Sequence, residues 1–495
     1  MKIVLYSTNS NYLSAFPRAD DACGGRRSNR YSNAGSPAGT QDDGRDEAQP
    51  PVSYTRFPPR CKEWERMARA FPEHQFYVVT QQPGMFMLDV PPVGVRAAAS
   101  TDSPVPAPVQ YIVHELERTE DIAQLIAGLQ PDAAVAASFW TAPYDWAPIK
   151  DAMIAQQLEQ AGVRTVCHPP HAAAVCFDKY QTHQKLESLG FTVPRAVYVH
   201  HELFWCERGH HQVKTNVYKE YVLSQLRQLH YPVIIKETVG LSSYRMEVAV
   251  SYKQALAWLQ SGKNSADHIV EEYIEGIQFG TEIYGTPGAY RVQPPFMFSV
   301  NKYGITSPKQ SVKLGPVTGG AMQLSELNSM LTRLAESLGL SGIAQVDLVL
   351  SPQNGGTWYI IEINPRLSGM TESYAAAYGQ NLYELILQAA GVLPAPQQRQ
   401  PDFTCNIKLP LLTDAQMKRL HDVPYVVYVS RVHNREAKQE REKGYCELIF
   451  TAPTIPQLEQ ELEELAHDYA DLMEESFVDG TRRMLRTLAE QTDTP

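Results

Sequence analysis

No apolar run in this 495-residue sequence approaches the roughly 18 residues that a membrane-spanning helix needs, which argues against a helical membrane protein. Cysteine is scarce. There are 7, an odd number, and no Cys-x-x-Cys occurs, so the expectation is a reducing cytoplasm with free thiols rather than a disulfide framework. Basic excess is lacking as well. The 44 Lys and Arg against 55 Asp and Glu give a formal charge of −11, which disfavours general nucleic-acid binding. There is no internal repeat and no Gly-x-Gly-x-x-Gly fingerprint of a dinucleotide site. The opening MKIVLYSTNS has one Lys and no long apolar core behind it, so it reads as a strand and not as a signal peptide. What is present is an apolar content of 43%, enough for large cores, in a length that suits about three domains.

Residues 17–60 are mostly Gly, Pro, Ser and charge, with too little apolar surface to offset ordering entropy, and read as a disordered insertion. Residues 91–108 read as a second, shorter one. Around them strands (Gln75 to Thr80, Tyr111 to His114, Asp132 to Phe139, Arg164 to Cys167) alternate with helices (Lys62 to Phe71, Ile122 to Leu129, Ile149 to Ala161). That alternation means a parallel sheet covered by helices on both faces. Residues 1–175 are therefore expected to form a Rossmann-like α/β domain. A helix follows from Lys179 to Leu189, then a strand-rich stretch over 231–365 with one helix near Leu327 to Leu338. A linker covers 391–402, and 403–495 is expected to be a small α+β domain with three strands and a helix from Thr454 to Met473.

Three segments carry chemistry. In QVDLVLSPQNGGTWYIIEINPRLSG, 345–369, two apolar strands flank an Asn354-Gly355-Gly356 hairpin signal. A turn centred near Asn354 and Gly355 places Asp347 opposite Glu362, and Glu362 and Asn364, two apart, share a face. Three oxygen-bearing side chains on one face suit a hard cation such as Mg²⁺. Arg366, just beyond, suits charge on a transferring group. The plain alternative is a hairpin with two solvated acids, which the buried-looking flanks disfavour. In YPVIIKETVGLSSYRMEVAV, 231–250, a strand ends at Lys236 and enters a loop with Gly240, Ser242 and Ser243. A Lys beside small residues suits phosphate, although Gly-Ser loops between strands are common. In IVEEYIEGIQFGTEIYG, 269–285, a strand runs into a connector whose backbone could line an adenine.

In this order the segments resemble the ATP-grasp superfamily, most closely over about residues 176–390. The resemblance implies two α+β lobes gripping ATP after a Rossmann-like domain, so that residues 176–392 form the ATP-grasp unit. It implies Lys179 and Lys236 as phosphate-side lysines, and Glu271, Glu272, Tyr273 and Ile274 as the hinge that holds adenine. It implies Asp347, Glu362 and Asn364 as ligands of Mg²⁺ or Mn²⁺, Arg366 as the arginine at the reacting phosphate, and Glu282 as a further nucleotide-side acid. Three departures stand out. Lys236 is followed by Glu237 where Lys-Pro is common, Arg245 replaces a loop glycine, and Gln278 replaces a ribose-binding acid, though an amide still hydrogen-bonds a hydroxyl.

Family members activate a carboxylate as an acylphosphate, releasing ADP, and an amine then displaces phosphate. The expected partners are thus a small carboxylate and a small amine, with neither nucleic acid nor membrane, and a homodimer is an open expectation. No cysteine needs to act as a nucleophile. Arg366 and Ser368 lie where a substrate carboxylate or intermediate could sit. Lys302, Lys309 and Lys313 read first as solvated loop lysines, and second as cations facing an anionic substrate. The cluster His200, His201, Cys206, His210 and His211 reads as a surface insertion rather than a zinc site, because adjacent ligands suit a tetrahedron poorly. Two rival readings are a bicarbonate-using enzyme that works through carboxyphosphate, and an ATP-binding regulatory protein without turnover.

Overall fold

The computed structural model describes residues 1–8, 52–57, 60–80, 109–141, 144–210, 212–240, 246–306, 310–319, 322–353, 356–395, 399–434 and 444–492. Three sheets organise them. The first is parallel, in the order β4 (Val109–Val113), β3 (Gln75–Thr80), β1 (Lys2–Ser7), β5 (Ala133–Ala136), β6 (Thr165–Val166). Helices cover both faces of such a sheet, so its strands are apolar without alternation. Ile3 to Tyr6 of β1 are accordingly at most 1% exposed. Strand order reverses between β1 and β5, and ligands of open parallel sheets lie beyond the carboxyl ends at such a point.

A buried polar group closes that point. The Thr8 amide donates to Ser138 Oγ at 2.9 Å, and Thr8 Oγ1 donates to Asp151 Oδ1 at 2.5 Å. Burial pushes the Asp151 carboxyl up to about 7, although the Ser138 and Thr8 hydrogen bonds pull the other way. The folded state therefore binds a proton here that an unfolded chain, with an Asp pKa near 3.9, releases. Stability contributed by this proton is present at low pH and is lost as pH rises through about 7. Asp151→Asn should then melt higher than the parent at pH 8 and show a smaller advantage at pH 5. Each kcal/mol relieved is worth roughly 2–4 °C in Tm. Calorimetry at the two pH values checks it, and a gap that does not change with pH sinks it.

The second sheet is antiparallel: β7 (Ala196–Val199), β10 (His268–Glu272), β8 (Val233–Glu237), β9 (Glu247–Ala249). The helices Val217–Leu226 and Tyr252–Leu259 close its core over Val233, Ile235 and Val270. The third sheet is also antiparallel. Its order is β16 (Thr357–Asn364), β15 (Gly342–Ser351), β11 (Ile277–Gly285), β13 (Phe296–Phe298), β14 (Ser311–Gly315), β17 (Phe403–Leu409), β19 (Gly444–Ala452), β18 (Val426–Asn434), β2 (Val52–Phe57), with β12 (Arg291–Val292) paired to β11. The strands of 403–495 thus make no sheet of their own. They continue the one that begins at β16 and add the helices Ile455–Asp468 and Glu475–Thr492.

One expectation needs correcting. Within the stretch 17–60, Val52–Phe57 is not a disordered insert but the edge strand β2, paired to β18. Its VSYTRF sequence is rich in β-branched and aromatic residues, and the surrounding Pro and Gly hid that local propensity. The rest of that stretch, apart from Arg60 at the start of the helix Arg60–Ala70, and all of 91–108, lie outside the described residues.

Two helices, Gly369–Ala377 and Leu382–Ala389, join the parallel sheet to the large one. Met370, Tyr374 and Tyr383 share a core with Phe76 and Trp64, and the Trp64 and Tyr383 rings stack at 4.2 Å. This junction turns the β1/β5 switch point toward the end of β16. Among the described residues, no helix is long and apolar enough to cross a membrane.

Candidate active site

The hairpin β15–β16 places Asp347 directly opposite Glu362. Its register has a detail that spacing alone does not show. Ser351 pairs with Thr357 and Leu348 with Ile360, a ladder that would put Asp347 opposite Ile361. A bulge after Asp347 adds one residue to β16 and brings Glu362 into line instead. The turn residues Asn354 and Gly355 lie outside the described residues. The two carboxylates differ. Burial pushes Asp347 up to about 7, helped by the charge of Glu362. Glu362 is also penalised by burial, but Lys179 and Lys236 outweigh that and hold it below the usual carboxylate range. Gln345 Nε2 donates to Asp347 Oδ1 at 2.8 Å and orients it.

Across from the acids lies the small sheet, and the cleft between holds about 1020 Å³ of empty space. Lys179 opens the helix Lys179–Ser188, which Asp178 caps by accepting from the Tyr180 and Gln181 amides. Its Nζ donates to the Gly240 carbonyl at 2.9 Å and sits 3.3 Å from Glu362 Oε1, so it ties the loop after β8 to the acid pair. Lys236, at the end of β8, pairs with Glu271 of β10 at 2.5 Å, both almost fully buried. Ser242, Ser243 and Arg245 lie outside the described residues.

The hinge lines the other end of the cleft. The Glu272 and Tyr273 amides donate to the Arg195 and Pro232 carbonyls, and the Glu272 carboxylate accepts from the His230 amide. Among the described residues the Ile274 N–H has no acceptor, and Ile274 lines the cleft together with Gln278. Gly276 must be glycine, because a Cβ there would lie 2.3 Å from the Leu350 carbonyl oxygen. Gln278 is covered by the turn at Gly304, whose φ of +73° and closeness to the amide leave no room for a side chain.

Arg366 and Asn364 form a second cluster behind the acids. Arg366 Nη2 donates to Asn364 Oδ1 at 3.0 Å, Nη1 to the Leu367 carbonyl at 3.2 Å, and Nε to Asp145 Oδ2 at 2.6 Å. Asp145 comes from the α/β region, and the sequence reading missed it because WTAPYDWAP has no periodicity and no spaced motif. Glu282 is not among the residues lining the cleft. It is fully buried and accepts from Ser368, Thr371 and Tyr284 hydroxyls at 2.9, 2.7 and 2.8 Å. Burial pushes its pKa up to about 7, against those three hydrogen bonds. It fixes the start of the helix Gly369–Ala377.

Lys313 is a correction. It lies on β14, half-buried, not in a solvated loop, because the apolar neighbours Val312 and Leu314 hold the strand in the sheet. Lys302 is exposed, and Lys309 lies outside the described residues. In the cluster near 200, His200 Nδ1 stands 3.7 Å from Asp267, and the His201 amide donates to the same carboxylate. Among the described residues, no group of three His, Cys, Asp or Glu converges on a metal position, there or elsewhere.

Comparison with known proteins adds the following. Residues 176–370 match the family described as the ATP-grasp domain. The carbamoyl phosphate synthase large chain of Xylella fastidiosa (strain Temecula1) is 19% identical over 260 residues, 51% of this chain and 22% of that one. The curated relatives of this kind are matched over 14% to 22% of their own length. The crystal structure of L-amino acid ligase from Bacillus licheniformis superposes with a TM-score of 0.55 at 16% identity, covering 94% of this chain and 97% of that one. The biotin carboxylase domain of Hydrogenobacter thermophilus 2-oxoglutarate carboxylase, solved with MgADP, ADP and bicarbonate, gives 0.53 at 12% identity over 85% and 93%. At such identities the likeness is one of fold.

Proposed function

Residues 176–370 belong to the ATP-grasp family, and from that premise we propose that this chain is an ATP-dependent ligase. It activates a small-molecule carboxylate as an acylphosphate, joins it to an amine, and releases ADP and phosphate. The observation that carries this reading is the half-buried Asp347–Glu362 pair with Lys179 3.3 Å from Glu362, at the end of a cleft between two sheets.

The donor set fits a hard divalent cation. Two opposed carboxylates, one of them pushed up to about 7 by burial and by the other, call for positive charge between them, and both offer only oxygen. Asp347 and Glu362 would hold it, with Asn364 beyond them once its oxygen leaves Arg366. When bound, magnesium supplies charge neutralisation on the phosphates. The chain's own groups do the rest. The Ile274 N–H suits an adenine ring nitrogen, and Gln278 suits a ribose hydroxyl. Lys179 and Lys236 place point charges on the phosphate side, with Gly240 beside Lys179. The substrate carboxylate oxygen attacks the γ-phosphorus in line, and the bond to the β–γ bridging oxygen breaks, leaving ADP. The amine then adds to the acyl carbon and phosphate departs. Catalysis here is positioning and electrostatics, with Arg366 beside the transferring group. A thiol nucleophile plays no part, because burial pushes Cys176, beside the site, up to about 12.

The test is ADP and phosphate release from MgATP with pooled amino acids and small carboxylates. The expected result is release that depends on one pool and can be divided down to one acid and one amine. Release from no pool sinks the reading. Release dependent on bicarbonate alone transfers it to a carboxyphosphate enzyme.

A further inference from the structure

Lys313 is a half-buried residue on β14. Among the described residues it makes no hydrogen bond, ion pair or ring contact. Pairing fixes which way it faces. Asp347 pairs with Gly280, and Gly280 with Phe296. Phe298, two residues on and so on the same face, pairs with Lys313, and Lys313 pairs with Asn406. Lys408, two beyond Asn406, shares that face and pairs with Glu447. The acid pair and both lysines therefore stand on one face of one sheet. From β15 to β14 is three strand steps, about 14 Å between backbones. The Lys313 charge acts on Asp347, on Glu282 and on Lys408.

A helix end meets the lysines there. Ser368 caps the helix Gly369–Ala377, its Oγ accepting from the Met370 amide and its carbonyl from the Thr371 amide. The Gly369 N–H has no acceptor among the described residues. A Cβ on Gly369 would lie 3.0 Å from Lys313 Nζ and 3.4 Å from Glu447 Oε1, so the missing side chain is what leaves the ammonium its space. Glu447 has a further interaction of its own, and Lys408 lies 4.2 Å over the Tyr445 ring. Two ammonium groups, the Glu447 carboxylate and a helix N-terminus come together in a partly buried place.

Resting on the ligase reading above, we propose that Lys313, Lys408 and the N-terminus of the helix Gly369–Ala377 form a specificity pocket for a second anionic group on the acid substrate. The carboxyl to be activated lies at the acid pair, and the far end of the same molecule, a second carboxylate or a phosphonate or phosphate, lies at the lysines. The C-terminal strands then complete the site, because β17 carries Lys408 and β19 carries Glu447.

The test is titration of the whole protein, saturated with MgADP, with succinate, glutarate, adipate and 3-phosphonopropionate, against butyrate. At least one diacid should bind tenfold or more tighter than butyrate, and the phosphonate arm separates the two kinds of anion. Lys313→Gln and Lys408→Gln should bring that ratio close to one, and Lys302→Gln, on the exposed turn, should keep it. Gly369→Ala keeps every charge but narrows the pocket. It should also lose the preference, and it stands as the readout if a lysine variant fails to fold. Failure of the wild type to bind MgADP overturns the ligase reading and this proposal with it. MgADP binding with every diacid no tighter than butyrate, or with a preference that the lysine variants retain, overturns this proposal alone.

Discussion

Glu362→Gln should lower acid-dependent ADP formation by about 10²–10³-fold, the scale of removing one group aimed at developing charge. Glu362 is the ionised member of the pair, held so by Lys179 and Lys236 against the penalty of burial. The amide removes that charge and leaves the Lys179 ammonium with only the Gly240 carbonyl. ATP affinity without metal should change little, since the hinge is on the opposite sheet. Asp347→Asn should act through metal affinity instead. Asp347, pushed up to about 7, must release its proton to coordinate, so the Mg²⁺ requirement of the wild type should tighten as pH rises from 6 to 8. In Asp347→Asn that dependence should flatten. Magnesium titrations of turnover at several pH values read both. Glu362→Gln retaining more than a tenth of the activity would contradict the assigned role.

The parts legible in the sequence were those set by short-range rules. QFYVVT and the run from Asp132 are strands because fully buried parallel strands are continuous apolar runs. The Asp347–Glu362 pairing was legible from the symmetry of the two strands about Asn354, although a bulge supplies the last residue of register. Lys179 showed as the start of a helix and, through the resemblance, as a phosphate-side lysine, but nothing in FDKYQTHQ says that its ammonium reaches both Gly240 and Glu362. What was not legible depends on long-range pairing. Val52–Phe57 is a strand because β18 is there to receive it, some 370 residues later in the chain. Lys313 shares a sheet face with the acids because four strands align in one register. Glu282 resembles a nucleotide-side acid in sequence, yet three hydroxyls, two of them from 368 and 371, claim it for the helix start.

Asp145 belongs to the same long-range class, and Asp145→Ala should show what it does. Arg366 has five N–H donors. Three are committed, to Asp145, Asn364 and the Leu367 carbonyl, which fixes the plane of the guanidinium and leaves two for a reacting group. Both members of the ion pair are largely buried, with side chains 8% and 15% exposed. Removing one partner of such a pair costs about 3–5 kcal/mol because the other charge stays buried alone. Part of that cost should appear as lost attachment of the α/β region, since Leu367 also donates its amide to the Ser138 carbonyl at 3.2 Å. The rest should appear as lost turnover, on the order of 10²-fold, because a free guanidinium no longer waits in one orientation. Arg366→Lys should not rescue, since a point charge cannot hold three acceptors in a plane. The decisive comparison is the double variant. If Asp145 acts by holding Arg366, then Asp145→Ala should cost little further turnover once Arg366 is Ala. Fully additive losses would mean that the two residues act separately.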